Sequence, residues 1–301
     1  MRTNDKRLKR IYVTYQRCKE ITRLGHGNAL QKVAAGAWAS AAGLRLYLCY
    51  KLFRPVLPEA LDGKGEVLVS LTSFPPRMKN LWMVIDTLMR QESRPAGIIL
   101  CLSEEQFPGK TLPASLAPYL ERGLSVIWTA DDLKPHKKYR SVFEQERAGK
   151  KRLVVTVDDD VFYSPDTLSR LLRLHSRYPD AVCGNMVKHI SGRPYREWPV
   201  VTEETGPSAD LIAVGCGAVL YPASVYSRDC FYDTVKLKSL ALMADDLWLR
   251  YCERKEGIGV VAGPYKALPP AIPSSQRFSL ASQNVSRGRN DRIWAALNRE
   301  G

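Results

Sequence analysis

Between residues 67 and 185, short apolar runs alternate with segments of helical period, and this alternation constrains the fold more than any other feature of the chain. Val67–Thr72, Gly97–Leu102, Leu124–Thr129 and Leu153–Val157 each read as a buried strand. After the first run, Leu81, Val84, Ile85 and Leu88 recur at helical spacing. Pro113–Arg122 reads as a short helix. The fourth run leads to a helix announced by Ser164 as N-cap, Pro165 at the first helical position and Asp166 in the first turn, with Leu168, Leu171, Leu172 and His175 on one face. A further strand is expected near Ala181–Asn185. Strands alternating with helices in this way predict an α/β fold with a largely parallel, doubly wound sheet.

Beyond residue 190 the order loosens. Leu211–Pro222 reads as strand, tight turn, strand, followed by a helix around Leu242–Glu253 and a strand at Ile258–Ala262. The tail from Ser274 onward is polar and basic, and its pattern assigns no element. A chain of 301 residues has room for one large α/β domain or two small ones.

Charge separates the N-terminus from the rest. Residues 1–60 hold twelve Lys/Arg against three Asp/Glu, whereas the remainder holds 33 against 28, so most of the +14 excess is N-terminal. Such asymmetry points to an anionic partner surface. Within this segment the apolar, Ala- and Gly-rich run Val33–Tyr50 is interrupted by Arg45 and is too weakly apolar for a membrane span. With Trp38, Tyr47 and Tyr50 flanked by Lys32, Lys51 and Arg54, it suits a helix lying in a membrane interface, or equally one packed on the domain's own core. Pro55, Pro58 and Asp62–Gly65 mark a linker, so residues 1–60 read as a basic, amphipathic segment and residues 61–301 as the main domain. The seven cysteines, Cys18, Cys49, Cys101, Cys183, Cys216, Cys230 and Cys252, are scattered without a C-x-x-C pair. They indicate neither a disulfide framework nor a zinc site, and favour a reducing compartment.

The sharpest chemical feature is Asp158-Asp159-Asp160, directly after the fourth strand run. In open α/β sheets the ligand crevice lies at the carboxyl ends of the strands. Three adjacent carboxylates repel one another unless a cation neutralises them, and hard divalent ions bridge carboxylates to phosphate oxygens. In an extended segment Asp158 and Asp160 point one way and Asp159 the other. The pair Asp158 and Asp160 is therefore a candidate clamp for Mg2+ or Mn2+ on a diphosphate. A second acidic pair, Asp245-Asp246, stands at the start of a helix, where the helix dipole favours ionised carboxylates.

Five segments in order, Ser70–Arg77, Asp131–Tyr139, Asp158–Asp160, Gly215–Pro222 and Ala244–Trp248, resemble those of bacterial glycosyltransferases with the nucleotide-sugar-binding GT-A fold, family 2-like, of capsule or lipopolysaccharide synthesis. The resemblance spans roughly residues 66–262 and implies a Rossmann-like nucleotide-binding half joined to an acceptor-binding half in one domain. It implies that the loop Thr72–Arg77 borders the nucleotide, with Thr72 and Arg77 at its ends. Asp131 or Asp132 would approach the base or ribose, and Lys137 and Lys138 would neutralise the diphosphate. Asp158 and Asp159 would border the donor, and Gly215 and Gly217 would let the backbone approach donor sugar or acceptor. Asp246, or alternatively Asp245, would take the proton of the acceptor hydroxyl in an inverting reaction. The donor implied is a nucleotide sugar, of UDP type, and the acceptor a glycan or lipid-linked glycan at the cytoplasmic, inner face of the cell membrane, with the enzyme held there peripherally. The chain departs from the pattern in one respect. Its histidines are His26, His136, His175 and His189, so none follows residue 189 to serve as a C-terminal metal ligand.

Two other functions are weighed against this one. A sugar-nucleotide pyrophosphorylase would carry a Gly-rich phosphate loop after the first strand, but Thr72–Arg77 contains no glycine. A nucleic-acid-binding protein is prompted by the pI of about 9.5. It would interleave basic and aromatic residues across the fold, and the basic excess lies outside the α/β body.

Overall fold

The computed structural model describes residues 3–23, 29–264, 267–278 and 288–300. Strands β1 (Val67–Thr72), β2 (Gly97–Ser103), β3 (Leu124–Thr129) and β4 (Leu153–Thr156) run parallel in the order β3-β2-β1-β4. Register places Val69 beside Ile98 on one side and Val155 on the other. Both faces of β1, β2 and β4 are covered, which is why their sequences are continuous apolar runs, whereas β3 at the sheet edge is only partly covered. Val69, Leu71, Leu100 and Val155 belong to one core cluster, and Leu68, Ile99, Cys101 and Val154 to the other.

The sheet continues through β8 (Val219–Tyr221), β5 (Val182–Gly184) and β9 (Val260–Ala262). Strand β8 is antiparallel to both of its neighbours, β4 and β5, while β5 and β9 are parallel. Strands β6 (Val187–His189) and β7 (Leu211–Ala213) form a separate antiparallel pair. The expected strand–turn–strand at Leu211–Pro222 is thus present, but its two strands enter different sheets.

The helices cover both faces. They are α1 (Thr3–Arg23), α2 (Ala29–Phe53), α3 (Met78–Met89), α4 (Ala117–Leu120), α5 (Lys137–Ala148), α6 (Thr167–Arg177), α7 (Ala223–Tyr226), α8 (Thr234–Leu240), α9 (Asp245–Lys255) and α10 (Arg289–Arg299). The start of α6 differs from the sequence reading. Its first helical residue is Thr167, and the Ser164 hydroxyl donates to the Asp166 carboxylate (2.6 Å) rather than capping the helix. Asp166, not Ser164, stands at the cap position, because the chain becomes helical only at Thr167, whose backbone N–H first donates to the Ser164 carbonyl (3.0 Å).

α1 and α2 pack on each other, and α2 lays Ala39, Ala42, Leu46, Cys49 and Tyr50 onto the same core cluster as β1 and α3. The contact is reinforced by a buried polar network. Asp86 of α3, fully buried, accepts from Tyr50 (2.9 Å), Tyr119 (3.1 Å) and Arg90 (2.6 Å). The opposite face of α2 is open: Leu30, Val33, Trp38, Leu44, Leu48 and Leu52 are all exposed. Of the two readings of Val33–Tyr50, core packing holds for one face and leaves an apolar face outward. No described helix is long and apolar enough to cross a membrane.

Candidate active site

The site forms where the sheet's connectivity brings several loops to one edge. β1, β3 and β4 are parallel, so the residues after each of them, Ser73, Asp132 and Asp158, emerge at the same edge. β8 is antiparallel, so the turn before it, Gly215–Gly217, arrives there too: Val219 at its start pairs with Thr156 at the end of β4. α9 then delivers Asp245 and Asp246 in its first turn.

Lys138 is the hub. Only 4% exposed, its ammonium contacts Asp158 (2.8 Å) and Asp245 (2.7 Å). Burial opposes its charge, but Asp158, Asp245 and Asp246 together outweigh that penalty and raise its pKa well above the ordinary lysine value. Burial likewise pushes Asp245 upward, yet the Lys138 ammonium beside it outweighs that penalty and leaves the carboxyl lowered, hence ionised. Asp246 is the opposite case. Burial and the neighbouring Asp245 charge push it up to about 8, although the backbone N–H of Gly215 donates to both of its oxygens (3.1 and 3.2 Å). Two adjacent carboxyls are thus driven apart, one held as an anion and one poised near neutrality, as an acid–base site requires.

Gly215 sits where a side chain has no room. A Cβ there would lie 2.8 Å from the Lys138 ammonium and 3.1 Å from Asp246 Oδ1. Gly217 faces elsewhere: its Cβ would fall 2.5 Å from the Met186 Cβ and 2.7 Å from the Met186 backbone nitrogen. The missing side chain makes room for Met186.

The carboxylate triplet is divided between two protein cations. The backbone bends at Asp159 and Asp160, so strand alternation does not run through the triplet. Arg77, itself 9% exposed, bonds Asp159 and also reaches Asp160 (3.1 Å), while Asp158 turns to Lys138. Ser73 donates to Asp159 (2.6 Å), and Gln276 donates to Asp160 (3.2 Å). Burial pushes Asp160 up to about 6 against the opposing pull of Arg77. The repulsion expected from three adjacent acids is relieved in this structure by Arg77 and Lys138.

The remaining candidates lie around this centre. Asp132 is bonded by Lys137 and by Lys134 (2.5 Å), and the Thr72 hydroxyl donates to the Cys101 carbonyl (2.7 Å). Adjacent Lys137 and Lys138 therefore serve different carboxylates. Sequence reasoning passed over Ser73, Tyr163, His136 and Gln276. The Tyr163 hydroxyl accepts from the Asp158 backbone N–H (2.7 Å), fixing the start of the triplet. Buried His136 bonds the Ala241 carbonyl through Nε2 (2.9 Å) and Tyr139 through Nδ1 (3.1 Å). A carbonyl only accepts, so Nε2 carries the proton and the imidazole is neutral; burial lowers its pKa to about 4. That bond ties α5 to the turn leading into α9. Ser73 and His136 carried a local signal, their places inside Ser70–Arg77 and Asp131–Tyr139. His26 lies outside the described residues.

No family model and no curated protein matches the chain. Among solved structures, it is similar to the mannosyltransferase PcManGT from Pyrobaculum calidifontis in complex with GDP-Man and Mn2+, with TM-score 0.50, 15% identity and coverage of 89% of this chain and 75% of that one. S. aureus TarS 1–349 in complex with UDP is matched at TM-score 0.47 and 14% identity, over 67% of this chain and 59% of that chain. 4-diphosphocytidyl-2C-methyl-D-erythritol synthase is matched at TM-score 0.42 and 10% identity, over 74% and 97%. The architecture is the GT-A-like α/β fold, with a parallel-dominated sheet and N-terminal helices added to it.

Proposed function

We propose that the chain is a glycosyltransferase that moves a sugar from a nucleoside-diphosphate donor, of UDP type, to a hydroxyl of a glycan or lipid-linked glycan in surface polysaccharide synthesis. The observation that carries this reading is the convergence of Asp158, Lys138, Asp245, Asp246 and Gly215 at the carboxyl edge of the sheet.

A divalent cation fits the donor set. Asp158 and Asp160 are hard oxygen ligands at the strand edge, and the Asp158 side chain keeps 31% of its surface open. Among the described residues, no group of three or more His, Cys, Asp or Glu is arranged to hold a metal alone. A cation held here would complete its shell with diphosphate oxygens and water, as Mg2+ and Mn2+ do. When bound, it supplies neutralisation of charge on the departing diphosphate.

The protein's own groups supply the rest. Asp246 takes the proton of the acceptor hydroxyl as its oxygen bonds to the anomeric carbon, and the bond from that carbon to the diphosphate oxygen breaks on the opposite face, giving inversion. Lys138 holds Asp158 and Asp245 in place and keeps positive charge beside the leaving group. Arg77 and Ser73 fix the triplet under the nucleotide, and Asp132 with Lys137 borders the base or ribose. A panel of nucleotide sugars, each with and without Mn2+, tests this by release of nucleoside diphosphate dependent on an added glycan acceptor. Absence of metal-promoted binding or release across the panel would remove the reading.

The N-terminal hairpin supports peripheral attachment to the inner, cytoplasmic face of an anionic membrane. The outward face of α2 presents Trp38, 66% exposed, with Leu30, Val33, Leu44, Leu48 and Leu52; exposed Arg45 lies within it, and exposed Lys51 and Arg54 stand at its C-terminal end. Exposed Lys6, Arg7, Arg10 and Arg17 on α1 add positive charge. An apolar strip with basic flanks suits the headgroup boundary.

A further inference from the structure

The seven cysteines look unrelated in sequence, but folding sets two of them in contact. Cys230 lies in the helical turn Asp229–Tyr232 and Cys252 two turns into α9, and their sulfurs stand 2.9 Å apart. Cys252 is fully buried, whereas Cys230 is only partly covered, beside exposed Arg228 and Asp229. We propose that Cys230 and Cys252 form a peroxide-responsive dithiol site that closes to a reversible disulfide.

The division of labour follows from the surroundings. Hydrogen bonding from Cys252 and then the charge of Lys255 lower the Cys230 thiol, while burial pushes Cys252 upward. Burial also pushes Cys101 and Cys183 up to about 12, and these sulfurs meet the Ser70 hydroxyl and the Ala181 carbonyl rather than a second thiol. The Cys230 thiolate attacks one oxygen of hydrogen peroxide; the O–O bond breaks, hydroxide leaves and takes up a proton, and Cys230 becomes a sulfenic acid. The Cys252 sulfur then attacks the Cys230 sulfur, the S–O bond breaks, and the second water departs with the Cys252 proton. Two thiols lose two electrons, and one peroxide becomes two waters. In a reducing compartment one small thiol attacks the bond to give a mixed disulfide, and a second releases the remaining protein thiol and departs as the small-molecule disulfide.

The position gives the bond a consequence. α9 carries Asp245 and Asp246 in its first turn, and the disulfide would fasten that helix to the Asp229–Tyr232 turn, against which it already packs.

The test treats the full chain with hydrogen peroxide, denatures it, alkylates the remaining thiols and measures intact mass and peptide linkage. The expected result is loss of two hydrogens and of two alkylatable thiols, with the peptides of Cys230 and Cys252 joined until a thiol reductant is added. Cys252→Ser should stop at a Cys230 sulfenic acid captured by a sulfenic-acid trap, and Cys230→Ser should leave Cys252 alkylatable. The thermal midpoint of the wild-type chain should rise on oxidation, and that of Cys230→Ser should not. Recovery of both thiols in alkylated form, or capture of a persistent Cys230 sulfenic acid in the wild-type chain, would overturn the proposal.

Discussion

Replacing Arg77 with Met keeps much of the side-chain volume and removes the guanidinium that serves two carboxylates. Arg77 is 9% exposed and Asp159 5% exposed, so neither charge can turn to solvent when the other is lost. Removing one partner of a buried pair costs about 3–5 kcal/mol, and the second contact to Asp160 places Arg77→Met toward the upper end. The pH dependence has a defined sign. Burial already raises both Asp159 and Asp160, the latter to about 6, so the folded state holds protons that the unfolded chain has released, and stability falls as pH rises from the ordinary carboxylate range through the folded pKa. Without the guanidinium these values rise further, and the window of lost stability extends upward. Urea unfolding of Arg77→Met should therefore show its largest deficit at about pH 8 and a smaller one at about pH 5.5, where the carboxyls escape the cost by taking protons. Arg77→Met/Asp159→Asn should recover part of the deficit, because one orphaned charge is gone. A deficit below about 1 kcal/mol at the higher pH, or one that grows on acidification, would refute a buried ion-pair role for Arg77.

Three further outcomes are expected. Asp246→Asn keeps shape and hydrogen bonding but cannot take a proton, so turnover should fall about 10²- to 10⁴-fold with donor affinity by calorimetry nearly unchanged. In the wild-type enzyme kcat/KM should rise with pH through about 8, since the base must be ionised in the free enzyme; a flat profile would move the role off Asp246. Gly217→Ala should cost about 1–3 kcal/mol in urea unfolding, because the added Cβ meets the Met186 backbone nitrogen at 2.7 Å and backbone yields poorly; an unchanged midpoint would show that the segment moves freely. In vesicle sedimentation the chain should bind anionic but not neutral vesicles, with roughly 1 kcal/mol per basic residue near the surface and release at high salt. Trp38→Glu should weaken this binding, and equal binding by that variant would exclude the α2 face as the contact.

Much of the scaffold is legible in local pattern. β1 to β4, α3, α6 and α9 stand within a few residues of where apolar runs and helical spacing put them, because a strand buried on both faces must be apolar along its length wherever it lies. The place of Asp158–Asp160 was also visible, since an acidic triplet directly after a buried strand has to emerge at the sheet edge. The exceptions are equally specific. The cap falls on Asp166 rather than Ser164, because the helix begins only at Thr167, a boundary that propensity does not fix.

Partner choice was decided only by tertiary structure. β7 and β8 are separated by a short turn yet enter different sheets, because β8 completes its hydrogen bonds with β4 and β5, distant in sequence. The triplet reads as one electrostatic problem, and the fold splits it between Arg77, reaching across from the loop after β1, and Lys138, carried by α5. Val33–Tyr50 admitted two readings because its composition serves either surface, and only packing showed which face Tyr50 and Leu46 occupy and which is left to Trp38. Cys230 and Cys252 meet across a turn and a helix without any motif. Local sequence sets each segment's periodicity and the charges it carries to its ends; which segments meet there depends on how strands of matching register satisfy their backbone hydrogen bonds, and that pairing is a property of the whole chain.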